Sequence, residues 1–191
     1  MTALRQLRDA VATALATDER MSERKIKVSV HGGDFKVSDL QTYAKDAPCV
    51  VVALLHSDTE NEHATGELWA DAVFGLCCMA RPKPAWDKAA DQHSACLDVV
   101  DTVLRVINGN WWGELDVKAP QGVNARNMFT AALDKVGGIA MWAVGFHQLV
   151  ELKDETDPSI PWLRWHATFD PMPTDPERPH MEASGELEQE P

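Results

Sequence analysis

The sequence predicts an α+β (α/β) fold: a mixed or mainly antiparallel sheet with two main helices packed on it, then an extended C-terminal arm. Three observations carry this. Residues 2–16 and 87–108 repeat apolar residues at helical spacing. Several runs of the chain are β-branched or alternate apolar with polar. Glycines and prolines separate these stretches.

The first helix is expected over residues 2–16, with Thr2 as cap and Leu4, Leu7, Val11 and Leu15 on one stripe. "KIKVSV", Lys25 to Val30, alternates strictly and ends at His31-Gly32-Gly33, a half-buried strand and its turn. Ser38 to Ala44 is expected to form one or two helical turns. "PCVVVALLH", Pro48 to His56, is apolar on both sides and fits a central strand. Ser57 to Thr65 reads as a polar, acidic connection. Gly66 to Arg81 fits helix or strand. Persistent alternation and two glycines favour the strand, and Pro82 and Pro84 close it.

The clearest helix is expected from Asp87 to Asn108. His93, Cys96, Leu97, Val100, Val103, Leu104 and Ile107 form its apolar face, and Asp91, Asp98, Asp101 and Arg105 its wet one. Gly109 stops it. A loop with Trp111 and Trp112 follows, then a strand over Val123 to Phe129. The last strand, Gly138 to Leu152, is about 15 residues long and would reach roughly 50 Å. That exceeds the usual strand, so a bend at Gly145 or projection beyond the sheet is expected. Both of its faces are apolar in the first half. With two main helices sharing one side, the other side needs loops, the tail or another copy, which implies an oligomer.

The domain is expected over residues 1–152 and the arm over 153–191. From Asp170 onward there are seven acidic residues, one arginine and five prolines, a composition that builds no core alone. The formal net charge of the chain is -12 and the pI about 4.9. Such a chain repels nucleic acid and anionic membranes. The N-terminus does not read as a signal peptide, because Arg5, Arg8 and Asp9 interrupt it. No apolar run is long enough to cross a bilayer. Cys49, Cys77, Cys78 and Cys96 sit in apolar surroundings without a C-x-x-C motif. They read as reduced, buried thiols of a cytoplasmic protein. Cys77 and Cys78 should point to opposite faces of a strand.

Motifs for chemistry are weak. "VHGGDF" lacks a phosphate-loop pattern and reads as a turn, and no G-x-S-x-G occurs. His56, His63 and Glu67 lack metal-ligand spacing and read as solvated loop residues. His93 and His147 read as partly buried, satisfied histidines. Asp87, Asp91, Asp98 and Asp101 read as an exposed helix face. No catalytic residue, metal or cofactor is expected. Trp111-Trp112 fits core plugging or a protein contact.

The helix ending "VINGNWWG" and the stretch "ARNMFTAALDKVGGIAMWAVGFHQ" resemble the tail-terminator (tail-completion) proteins of Mu-like tailed bacteriophages. Asn127, Phe129, Leu133, Asp134, Gly138, Ala140, Trp142, Val144, Phe146 and Gln148 carry the likeness. It extends over residues 1–152 and is sharpest around these positions. The resemblance implies helices packed on a mixed or antiparallel sheet. It implies a structural virion protein, a homohexameric ring that caps the tail tube and stops its polymerisation. Partners would be the tail tube protein and head–neck connector proteins, with DNA passing through the lumen without specific binding. Location would be the tail–neck junction of the virion, and the host cytoplasm during assembly. Candidate subunit or partner contacts are Trp111, Trp112, Arg126, Asn127, Phe129, Asp134, Trp142, Trp162, Trp165 and Phe169. Another neck or head-completion protein is the nearest alternative, and a small cytoplasmic hydrolase the alternative of a different class.

Overall fold

A computed structural model describes residues 2–33, 36–60, 68–113, 115–128 and 138–152, and the backbone of 164–169 and 181–186. The chain divides into two compact units, Met1–Lys153 and Asp154–Pro191. In the second, two strands, Arg164–Phe169 and Met181–Glu186, pair antiparallel.

The first unit is an α+β fold. Helix α1, Ala3–Thr17, is followed by a short α2, Glu19–Glu23. Strand β1 is Lys27–His31, helix α3 is Val37–Ala44, and strands β2 and β3 are Cys49–Glu60 and Trp69–Ala80. Helix α4, Gln92–Ile107, precedes β4, Gln121–Asn127, and β5, Ala140–Glu151. The sheet order is β1-β2-β3-β5-β4, with β1 parallel to β2 and every other pair antiparallel.

Alternation along the strands sorts two layers. One sheet face packs against α1 and α4. Leu7, Val11 and Leu15 of α1 are fully buried there, as the stripe predicts. Burying each such side chain stabilises by about 1.5–3 kcal/mol. Phe74 and Phe146 lie directly opposite across β3 and β5 and stack at 4.8 Å. A smaller cluster on the other face joins Cys49, Val51, Cys77, Met79, Ile139 and Met141 beneath Tyr43, Ala44 and Ala47. So α3 and the turn after it cover one end of the second face.

Several expectations need correction. β5 neither bends at Gly145 nor overshoots: all twelve residues pair with β3 without a register shift. The reason is that β3 is equally long. The break in pairing lies instead in β2, between Leu54 and His56. β2 also runs through the polar segment to Glu60, because Asp58 and Thr59 continue the ladder with Asp71 and Ala70. Helix α4 starts at Gln92, since the Asp91 carboxylate accepts from the Ser94 amide at 2.7 Å and caps the first turn. Leu97 is exposed, while Ala95, Val99, Thr102 and Val106 join the buried face. Asp98 is half-buried and accepts from Trp86 Nε1 at 3.0 Å. The strand expected over Val123 to Phe129 lies two residues earlier.

Candidate interaction surface

Beyond α3, the second sheet face presents a half-open surface. Residues 69, 71, 73 and 75 of β3 are partly exposed in alternation with buried 70, 72, 74 and 76. Their register partners on β5 are Glu151, Leu149, His147 and Gly145. The irregularity in β2 sends both Leu55 and His56 to this face. The Leu55 side chain lies over Gly75, where an added Cβ would meet it at 3.0 Å. On the far side, the Asn124 amide fills the space over Gly145, donating to Gly145 O at 3.4 Å and to Gly122 O at 2.8 Å. The two glycines face each other in the ladder, so their missing side chains admit neighbours instead of bending the strand.

Charge on this surface is arranged in pairs. His147 Nδ1 is 3.0 Å from each oxygen of the Asp71 carboxylate, which orients the ring. Gly122, at φ +61°, lies so close that a Cβ would meet the His147 ring at 2.9 Å. His56 Nε2 is 3.8 Å from Asp58, too long for a hydrogen bond, and both side chains are largely exposed. Asp58 and Asp71 are direct register partners. The Lys118 ammonium sits 4.9 Å from the Trp69 ring centroid, within cation–π range. Among the described residues no group of three or more His, Cys, Asp or Glu side chains could hold a metal ion. His63 and Glu67 lie outside those residues.

The sequence-predicted contact residues do not converge. Trp111 is 54% exposed, whereas its neighbour Trp112 is 6% exposed and belongs to the helix-side core. Trp112 therefore plugs the core instead of offering a contact. Trp142 is likewise placed on the helix-side face, packed against that core, with a buried Nε1 that has no hydrogen-bond partner among the described residues. Arg126 and Asn127 lie exposed on β4 at the end of the sheet, opposite Ala143 and Trp142. Phe129, Asp134 and Trp162 lie outside the described residues. Trp165 and Phe169 stand on the strand Arg164–Phe169, in register with Gly185 and Met181. The face built by Leu55, Asp58, Asp71, Val73 and His147 was not singled out from the sequence. Its signal was the alternation of Trp69, Asp71 and Val73 within the third strand.

All four thiols are free and buried, as expected. Cys77 and Cys78 occupy opposite faces, in separate clusters. Burial pushes Cys49 and Cys96 up to about 12 and raises Cys77 and Cys78 as well. No helix among the described residues is long and apolar enough to cross a membrane. No protein-family model matches this chain, and no curated protein matches it.

Proposed function

We propose that this chain is a structural virion protein, a ring-forming tail terminator that caps the tail tube and joins it to the head–neck complex. The observation that carries the reading is the edge strand β4, which closes the sheet with Val123 and Arg126 exposed, as is Met128 directly after it. An edge strand with exposed apolar side chains favours association with another chain. Its last residues, Ala125 to Asn127, open the segment that resembles the tail-terminator family, and the α+β architecture is the one that resemblance implies. A contact between unlike surfaces of successive copies closes into a ring when the rotation per copy permits. The net charge of -12 supports a lumen along which DNA slides, since phosphate gripping needs lysine and arginine.

The working parts of this function are steric. One ring face pairs with the last tube ring, and the opposite face lacks the surface that recruits another. Sizing and electron microscopy of the purified protein, alone and with tail tubes, test it. Rings and capped tubes are the expected result. A strictly monomeric protein that leaves tubes uncapped sinks the reading, and rings that bind a portal end instead of a tube end assign it to another neck protein.

A further inference from the structure

We propose that the open half of the second sheet face docks a cationic, partly apolar segment of another protein. Its floor is Leu55, Val73 and Leu149, with Trp69 and the Lys118 ammonium over it at one end, and its opposed carboxylates are Asp58 and Asp71. Like charges directly opposite in a ladder destabilise it, and Asp58 and Asp71 hold that position. His147 engages Asp71, while the Asp58 side chain remains 80% exposed beside it. An incoming ammonium or guanidinium between the two carboxylates relieves their repulsion.

The chain supplies its own example of the contact. Lys118 reaches over Trp69 with its ammonium 4.9 Å from the ring centroid, so this face already accommodates a cation against an aromatic floor. Charge also selects against other occupants. A phosphate backbone meets two carboxylates here, and a second copy of the same face brings two more. An extended segment repeating Leu-Ser-Lys-Ser presents leucine and lysine in turn on one side, so its leucines reach Leu55 and Val73 while its ammonium groups lie near the carboxylates.

The inference is independent of ring formation, which is read by particle size and not by peptide binding. The probe is a peptide of Leu-Ser-Lys-Ser repeats, titrated by calorimetry into the full chain. Binding is expected to weaken at least about tenfold in Asp58→Lys, which places a like charge at an exposed position without removing a packed side chain. Glu19→Gln with Asp101→Asn, on the helices, should leave it unchanged. Carbodiimide coupling followed by peptide mapping should join the peptide lysines to Asp58 or Asp71. The proposal is overturned by absent binding, or by equal weakening in both sets of variants. Equal affinity for a lysine–serine peptide, or coupling spread over the helix carboxylates, also overturns it, since each marks general adhesion of a polycation to an acidic chain.

Discussion

Trp112 Nε1 donates to Gln148 Oε1 at 2.5 Å, joining the loop after α4 to the middle of the sheet. The same Gln148 amide donates to Lys118 O at 2.6 Å and to Asn110 O at 3.3 Å. Gln148 is thus a fully buried polar side chain with its amide satisfied on both ends. Replacing it by alanine leaves the Trp112 donor and the Lys118 carbonyl without a partner. Gln148→Ala should cost about 2–4 kcal/mol, and Trp112→Phe, which removes one donor, less. Urea unfolding of both singles and the double measures the coupling, and strict additivity would falsify it.

Gly122 carries a second prediction. Its φ of +61° disfavours a side chain, and the His147 ring occupies the place a Cβ would take. Gly122→Ala should destabilise by about 1–2 kcal/mol. It should also displace the ring from Asp71, visible as a change in the His147 imidazole resonances. An alanine variant as stable as the parent with unmoved resonances rejects this packing.

These two sites show where the sequence is legible. The alternation of β5 assigns both faces correctly, because side-chain parity in a paired strand follows the chain alone. Trp142, Val144, Phe146 and Gln148 all fall on the helix side. The bend expected at Gly145 is absent because the reason for that glycine lies elsewhere: Gly75 opposite it, Leu55 from β2 and Asn124 from β4. No local pattern announces the irregularity at Leu55. The open face escapes a sequence reading for the same reason, since its residues come from separate strands and meet only in register.

The cysteines yield a third prediction. A thiolate is the reactive species, and burial holds all four thiols in the protonated form, Cys49 and Cys96 up to about 12. The native chain at neutral pH should release almost no colour with a disulfide reagent, and the denatured chain should titrate as four thiols. Rapid reaction of any one in the native state contradicts the packing around it.

The cap of α4 gives a pH dependence. The Ser94 amide bonded to Asp91 holds that carboxyl below the usual carboxylate range. A depressed folded value means the stabilisation is present above the unfolded-state pKa and is lost as pH falls through the folded one. Asp91→Ala should therefore be less stable than the parent at neutral pH, with the gap closing below about pH 4. Asp91→Asn keeps an acceptor at the cap and should retain much of the stability with less pH dependence. Melting curves across that range decide it, and a gap that widens on acidification contradicts the assignment.

The edge strand supplies the last prediction. Val123 and Met128 are 39% and 44% exposed, at a sheet edge where an added charge costs the isolated fold little. Val123→Lys and Met128→Glu should each change the unfolding free energy of the chain by less than about 0.5 kcal/mol. If β4 builds the contact between copies, both should nevertheless shift the purified protein toward smaller species. Sedimentation velocity at matched concentrations reads that shift, with circular dichroism as the check on folding. Opposite charges are introduced at the two positions, so mixing the two variants tests the geometry further. The introduced lysine of one copy and the introduced glutamate of the next can restore association only if the two ends of β4 approach each other across the contact. Recovery on mixing supports an antiparallel β4–β4 approach, a two-fold contact that counts against a ring built from unlike surfaces. Loss of assembly without recovery places β4 against a different element of the neighbour. Unchanged assembly in both variants removes β4 from the interface.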